Sequence, residues 1–296
     1  MNLCENIKNI IKGEKMEVIE LFKDSLKYPT KDWNKVLILG ILFLIVGISN
    51  ILQNNSQFFN DNPVISIIIL VFALISMITY FIISGYSLNI TRKTIALEEE
   101  IPNLEWSKNI IDGLKVFVIE IVYLIIPFII TFITAYFTGA LNYLIQIVSY
   151  AIIHGTAATI PQSLLLNALS SFMIVILVGI ILFIIFYLLS IIAVARLAEN
   201  DSLVAALNMK DTFNKIGEIG WGNYIIWFIL FIAICIGIAI ILIIVFSILI
   251  FIIGMVAGIV IASIIISMLT NLLFSPYITM FSSRAVGLLY NESENS

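Results

Sequence analysis

The sequence is poor in the residues that build enzyme active sites. It has one histidine, His154, and two cysteines, Cys4 and Cys235, among 296 residues. A two-histidine metal motif and a Cys–His pair therefore cannot be assembled. Cys4 lies near the N-terminus and Cys235 inside an apolar run, so they are not expected to pair. No Gly-x-Ser-x-Gly elbow, phosphate-binding glycine loop or Cys-x-x-Cys occurs. These absences point away from an enzyme and from any cofactor or metal. Charge is scarce as well: Asp, Glu, Lys and Arg are 11% of the chain, against about a quarter in soluble domains. Acidic clusters at Glu98–Glu100 and Glu199–Asp201 have no histidine beside them and read as solvated loop charge.

What is present is apolar. Hydrophobic residues are 61% of the sequence and the mean hydropathy is +1.12, a composition that requires lipid as solvent. The expected fold is all-α: an integral membrane bundle of six transmembrane helices with amphipathic surface helices. Spans are read near Val36–Leu52, Val64–Leu88, Leu114–Tyr136, Ser171–Ala195, Tyr224–Leu249 and Gly254–Phe281. No charged residue falls between Tyr224 and Met268. One helix of that length would reach about 67 Å at about 1.5 Å per residue, twice a bilayer core. The run must double back, and Ile250–Gly254 is the expected place. The segment Gly139–Gln162 is short in apolar residues and broken by Gly155 and Pro161, so it reads as an interfacial or re-entrant helix. One membrane domain over residues 16–290 follows, between a flexible N-terminus (1–15) and a tail (291–296).

Positive charge is missing from one whole side of this topology. All fifteen Lys and Arg residues lie before the first span or after the second, fourth and sixth. Positive loops stay in the cytoplasm, so a cell-membrane protein with both termini cytoplasmic is expected. The first thirty-five residues are rich in Lys and Glu and show no cleavable signal peptide. The net charge is −4, and the lysines alternate with acids, which argues against a nucleic-acid partner. Membrane lipids, and a membrane or cytoplasmic protein, are the expected partners.

Two stretches on the basic side are amphipathic. Val18, Ile19, Phe22 and Leu26 share a face of Met16–Tyr28, and Ala206, Met209, Phe213 and Ile216 share one in Ser202–Ile216. Such helices are expected to lie flat at the membrane surface. Trp33, Trp106 and Trp221 fall near the same side, where indoles favour the headgroup layer. Phe22-Lys-Asp-Ser-Leu26 resembles Met209-Lys-Asp-Thr-Phe213, and Asp24–Lys27 is echoed by Asp112–Lys115. Three units of surface helix plus helical hairpin are one reading of these echoes; the other is that any basic entry into a membrane selects Lys, Asp and Trp.

Among nineteen acidic residues only Glu120 falls inside a span. Its helical face continues through Pro127, Thr131, Thr134 and Thr138. Intramembrane carboxylates are often functional, so a small secondary transporter using Glu120 and the Thr stripe is the alternative function. Packing is the competing explanation, because hydroxyl and small residues let membrane helices approach and bond. A similar stripe contains Ser267, Thr270, Asn271 and Ser275. Pro127 and Pro276 fall within spans and each removes a helix hydrogen bond.

The motifs of the basic side resemble a prokaryotic membrane family catalogued as domain-of-unknown-function family 4013. They are Tyr28-Pro29-Thr-Lys-Asp-Trp33-Asn-Lys35; Gly85-Tyr86 with Arg92; Ile101-Pro-Asn-Leu-Glu-Trp106 with Asp112-Gly-Leu-Lys115; and Ala195-Arg-Leu-Ala-Glu199 with Ala205-Ala and Gly220-Trp221. The likeness covers about residues 17 to 290. Pro102 and Trp106 match with altered spacing. The resemblance implies topology and assigns no catalytic residues. It leaves a non-enzymatic membrane protein, contacting lipid or partners through Tyr28, Pro29, Trp33, Trp106 and Trp221, as the expected function.

Overall fold

The protein is described from a computed structural model, in which residues 18–54, 63–155 and 160–292 are placed. The expectations for Cys4, residues 1–15 and the tail beyond residue 292 lie outside the described residues. Of the described residues 92% are helical, and no strand occurs among them.

In order, α1 is Val18–Lys27, followed by a 3₁₀ turn at Tyr28–Lys31, and α2 is Trp33–Asn54. Next come α3 (Pro63–Ile95), α4 (Trp106–Phe137), α5 (Ala140–His154) and α6 (Gln162–Asn200). Two short helices, α7 (Leu203–Leu207) and α8 (Met209–Ile219), lead to α9 (Trp221–Ala257). The last span is compound: α10 (Ile259–Leu269), a π turn at Thr270–Phe274, and α11 (Ser275–Asn291). Among the described residues, six segments are long and apolar enough to cross a membrane. The apolar window of α9 has a mean hydropathy of 3.5 and 0% of it is buried within the protein. With no protein to cover it, that window needs lipid around it. The chain is a multi-pass membrane protein.

The helices run past the apolar stretches that define the spans. Arg92 and Lys93 lie inside α3, Lys108 and Lys115 inside α4, Arg196 inside α6 and Arg284 inside α11. Lys and Arg are good helix formers, so hydropathy marks where the lipid ends and not where the helix ends. Asn291, expected in the tail, is the last residue of α11 and donates to the Thr94 carbonyl at 3.1 Å. The turn expected at Ile250–Gly254 sits four residues later. Gly258 has φ +87°, a left-handed conformation that costs a side-chain-bearing residue strain, whereas Gly254 continues α9. At the expected interfacial segment, α5 is a helix of 15 residues, too short to span.

The contacts divide the chain into two units, residues 1–117 with 194–296 and residues 118–193. In the larger unit, α3 packs against α2, α11 and the start of α4. The α3–α4 contact is a backbone crossing. A Cβ on Gly85 would stand 1.9 Å from the Asn109 carbonyl oxygen, and one on Gly113 1.9 Å from that of Phe81. Tyr28, Val36, Leu39, Ile83, Tyr86 and Met280 are central in the core of this unit. In the smaller unit, Ser171 donates to the Thr138 carbonyl at 2.9 Å, and Tyr123 meets Phe186 edge-on at 6.5 Å.

Both amphipathic expectations need correction. The face of α1 does not lie open for a membrane: Leu21, Phe22 and Ser25 are buried against protein, while Ile19 is 59% exposed. Phe22 stacks on Trp227 at 5.9 Å and meets Phe281 at 6.3 Å. The second stretch is not one helix. Asn208 breaks it, because its side chain accepts from the Asp211 N–H and caps α8. Ala206, Thr212 and Ile216 are buried, and Phe213 turns out to lie on Trp221 at 4.7 Å. The threefold repeat is also incomplete. No helix stands between α3 and α4, where Pro102 and the short length leave no room for one.

Candidate functional site

Polar chemistry in the larger unit gathers at one end, where α1, the ends of α3, α6 and α11 and the starts of α2, α4 and α9 meet. Helix ends leave unpaired carbonyls and N–H groups, and long charged side chains of the flanking residues reach them. Four clusters result.

Arg284 holds the first. It is 6% exposed, and its Nε donates to Asp24 Oδ2 at 2.8 Å. Its Nη1 donates to the Glu98 carbonyl at 3.1 Å, and the guanidinium lies 5.0 Å from the centre of the Tyr28 ring. One buried cation therefore ties α1, the loop after α3, and α11. Burial pushes the Tyr28 phenol well above its ordinary range, with Arg284 opposing that shift in part. Tyr28 donates to the Glu100 carbonyl at 3.4 Å, and Tyr277 donates to the Leu26 carbonyl at 2.6 Å.

The second cluster is centred on Asp112, which is 3% exposed. Arg92 donates to it at 2.9 Å and to Asp201 at 3.4 Å. Lys115 donates to Asp201 at 2.7 Å. That bond holds the Asp201 carboxyl below its ordinary range. Asp201 has φ +47° where the chain leaves α6, a conformation Asp tolerates better than most side chains.

The third joins α6, α8 and α11. Arg196 donates to the Asn208 carbonyl at 3.1 Å and to Thr212 Oγ1 at 3.3 Å. Tyr290 donates to Glu199 at 2.7 Å, and the Lys215 ammonium lies 4.7 Å from the centre of the Tyr290 ring. The fourth is on the loop between α3 and α4. Tyr86 donates to the Pro102 carbonyl at 2.9 Å, Lys31 pairs with Glu99 at 3.3 Å, and Lys35 bonds the Ile101 carbonyl and sits 3.8 Å from Asp32.

Of the motif residues read from the sequence, Tyr28 and Pro29 are buried and structural. Trp33, Trp106 and Trp221 are each the first residue of a long helix, α2, α4 and α9. They are 52%, 57% and 37% exposed, so each ring has an open face at this end. The intramembrane candidates fall elsewhere. Glu120 is on an exposed face of α4. Thr131 Oγ1 is buried without a hydrogen-bond partner, against Gly179. Thr134 donates to the Ile130 carbonyl of its own helix at 2.9 Å. Asn271 donates to the Ser267 carbonyl at 2.8 Å and packs on Gly47. These hydroxyl and amide groups turn onto their own backbones or onto glycines, as packing residues do. His154 stacks on Tyr150 at 4.2 Å. Among the described residues no three His, Cys, Asp or Glu side chains are grouped as metal ligands would be.

Sequence reasoning quoted Asp24, Asp112 and Glu199 as motif letters without finding their partners, and it missed Trp227 and Tyr290. Arg284 carried a usable signal: it is the only charge in a long apolar C-terminal stretch, where a cation must find a partner.

No curated protein and no solved structure matches the chain. A family model described as Protein of unknown function (DUF4013) matches residues 64–247. The match is narrower than the expected likeness; it includes the Gly85–Arg92, Ile101–Lys115 and Ala195–Trp221 motifs and leaves Tyr28–Lys35 outside. Since it spans more than half of the 296 residues, the chain belongs to the DUF4013 family.

Proposed function

We propose that this multi-pass protein resides in the cell membrane with both termini in the cytoplasm, is not an enzyme, and contacts lipid headgroups through its charged end. The observation that carries the reading is the position of Trp33, Trp106 and Trp221, each opening a long helix with its ring exposed. Indoles in that position favour the headgroup layer, and the cations around them attract an anionic leaflet. The orientation rests on the one-sided distribution of Lys and Arg. A cytoplasmic or membrane protein seated on the same face is the competing occupant.

Extraction from native membranes in mild detergent, with mass spectrometry of what co-purifies, separates the two. Stoichiometric phospholipid that falls in the Trp33→Ala/Trp106→Ala/Trp221→Ala variant, at unchanged melting temperature, supports lipid contact. A constant protein at stoichiometric amount in place of lipid would transfer the role to a complex. Glu120→Gln is expected to match wild type in both respects. A solute flux that this substitution abolished would replace the proposal with transport.

A further inference from the structure

Beside the start of α2 lie two adjoining cavities of different character. The outer one, about 390 Å³, is lined by Lys31, Asp32, Lys35, Glu99, Glu100 and Ile101. The inner one, about 170 Å³, shares Asp32 and Lys35 and is otherwise walled mainly by Ile38, Leu39, Tyr86 and Leu104. Ile38 lies five residues into the membrane helix from Trp33, about 7.5 Å deeper by the rise of an α-helix. The polar chamber is therefore at headgroup level and the apolar chamber lies toward the hydrocarbon. That order is the order of groups along a phospholipid.

The charges decide which phospholipid. The outer chamber carries two lysines and three carboxylates, one negative charge in excess. Lys31 is paired with Glu99 and Lys35 with Asp32, while the Glu100 carboxylate has no ion pair among the described residues. A phosphate entering between Lys31 and Lys35 releases Glu99 and Asp32; Asp32 still accepts from the Asn34 and Lys35 N–H groups at the start of α2, so Glu99 and Glu100 are the carboxylates the chamber offers to a cation. A primary ammonium donates three hydrogen bonds and satisfies them. A choline headgroup has no N–H to donate, and the nearby Tyr28 ring is buried under Arg284, so no aromatic cage compensates. A glycerol headgroup brings negative charge to a site already in negative excess.

We infer that this pair of cavities binds phosphatidylethanolamine, the phosphate held by Lys31 and Lys35, the ammonium by Glu99 and Glu100, and the start of the acyl chains by Ile38, Leu39 and Leu104. The inference rests on the reading that this end meets lipid headgroups, and it adds one site and one headgroup to it.

The test is lipid retention by native mass spectrometry after reconstitution in equal mixtures of phosphatidylethanolamine, phosphatidylcholine and phosphatidylglycerol. Wild type is expected to retain phosphatidylethanolamine about tenfold over either competitor, the ratio that one charge-assisted contact supplies at a half-open site. Glu99→Gln/Glu100→Gln should bring the ratio over phosphatidylcholine to about one while leaving the lipid-free melting temperature unchanged. Asn103→Trp, at the exposed rim of the inner cavity, should block retention of all three at the site. Equal retention by wild type, or an undiminished preference in the double Gln variant, overturns the site. Displacement of the lipid by soluble phosphoethanolamine at matched concentration would also overturn it, because the apolar chamber would then contribute nothing. If retention is equal but the triple Trp variant still sheds bulk lipid, the site fails and the broader reading stands. If neither effect appears, both fail.

Discussion

Arg284 shows how one residue sets the cost of a change. It is buried and tied to Asp24 at 2.8 Å, so removing it leaves a mostly desolvated carboxylate without its cation. Arg284→Met should lower stability by about 3 kcal/mol, measured by thermal unfolding in detergent. Asp24→Asn added to it should recover part of that loss, since the uncompensated charge is the larger cost. Gly85→Ala acts by contact: the new methyl would stand 1.9 Å from the Asn109 carbonyl oxygen. Backbone cannot yield as a side chain does, and a loss of about 3 kcal/mol or failure to fold is expected. Asp201 gives a pH dependence of the opposite size. Its carboxyl is held below its ordinary 3.8, chiefly by the Lys115 hydrogen bond. A depressed folded value means the contribution is complete above pH 3.8 and disappears as the pH falls through that lower value. The side chain is 66% exposed, so screening keeps the effect below about 1 kcal/mol. Wild type should lose slightly more melting temperature than Asp201→Asn between pH 5 and 3, roughly the carboxylate range.

At the scale of elements, α1 is the informative case. Its sequence is amphipathic, and that pattern alone does not say whether the apolar face meets lipid or protein. The difference lies in a distant partner, Trp227, whose stacking on Phe22 and on Phe231 at 5.2 Å could not be read from local periodicity. Phe22→Ala should cost about 3 to 4 kcal/mol and open α1 before the rest of the molecule. Limited proteolysis would register this as cleavage around residues 18–31 at temperatures where the spans remain intact. The same reasoning explains the last span. Pro276 has no N–H for the Leu272 carbonyl, and the chain widens into a π turn there, with Ser275 donating to the Thr270 carbonyl instead. The freed Leu272 carbonyl lies where a Cβ on Gly40 would meet it at 2.0 Å, so α2 carries a glycine at that crossing. The proline was visible in the sequence; the glycine that answers it was not.

For the whole molecule, the placing of apolar runs and charges along the sequence was enough to reveal an all-α protein with six long apolar helices, because lipid imposes one rule on every span. The candidate site was legible only in part. Trp33, Trp106 and Trp221 stood out because they fall near the basic side, where indoles favour the headgroup layer; the structure adds that each is the first residue of a long helix. The pairing of Arg92 with Asp112 and Asp201, or of Tyr290 with Glu199, joins positions about twenty to more than a hundred residues apart. Such pairs depend on which helix ends meet, which no single-segment pattern encodes. Orientation is testable on the same scale. In a background with Cys4→Ser and Cys235→Ala, a cysteine replacing Asn60, outside the described residues, should react with an impermeant thiol reagent in intact cells. One replacing Lys108 should react only after lysis. The reverse pattern would invert the topology.

The π turn at Thr270–Phe274 also bears on which changes of length the gene can accept. A π turn is an α-helix holding one surplus residue, with the flanking helices left in phase. Deleting one residue within it should convert the turn to regular helix while Arg284 still faces Asp24 and Tyr290 still faces Glu199. The same deletion inside α11 would rotate everything beyond it by about 100° and separate both pairs. Within the last span, single-codon losses should therefore be tolerated at this turn and not inside α11.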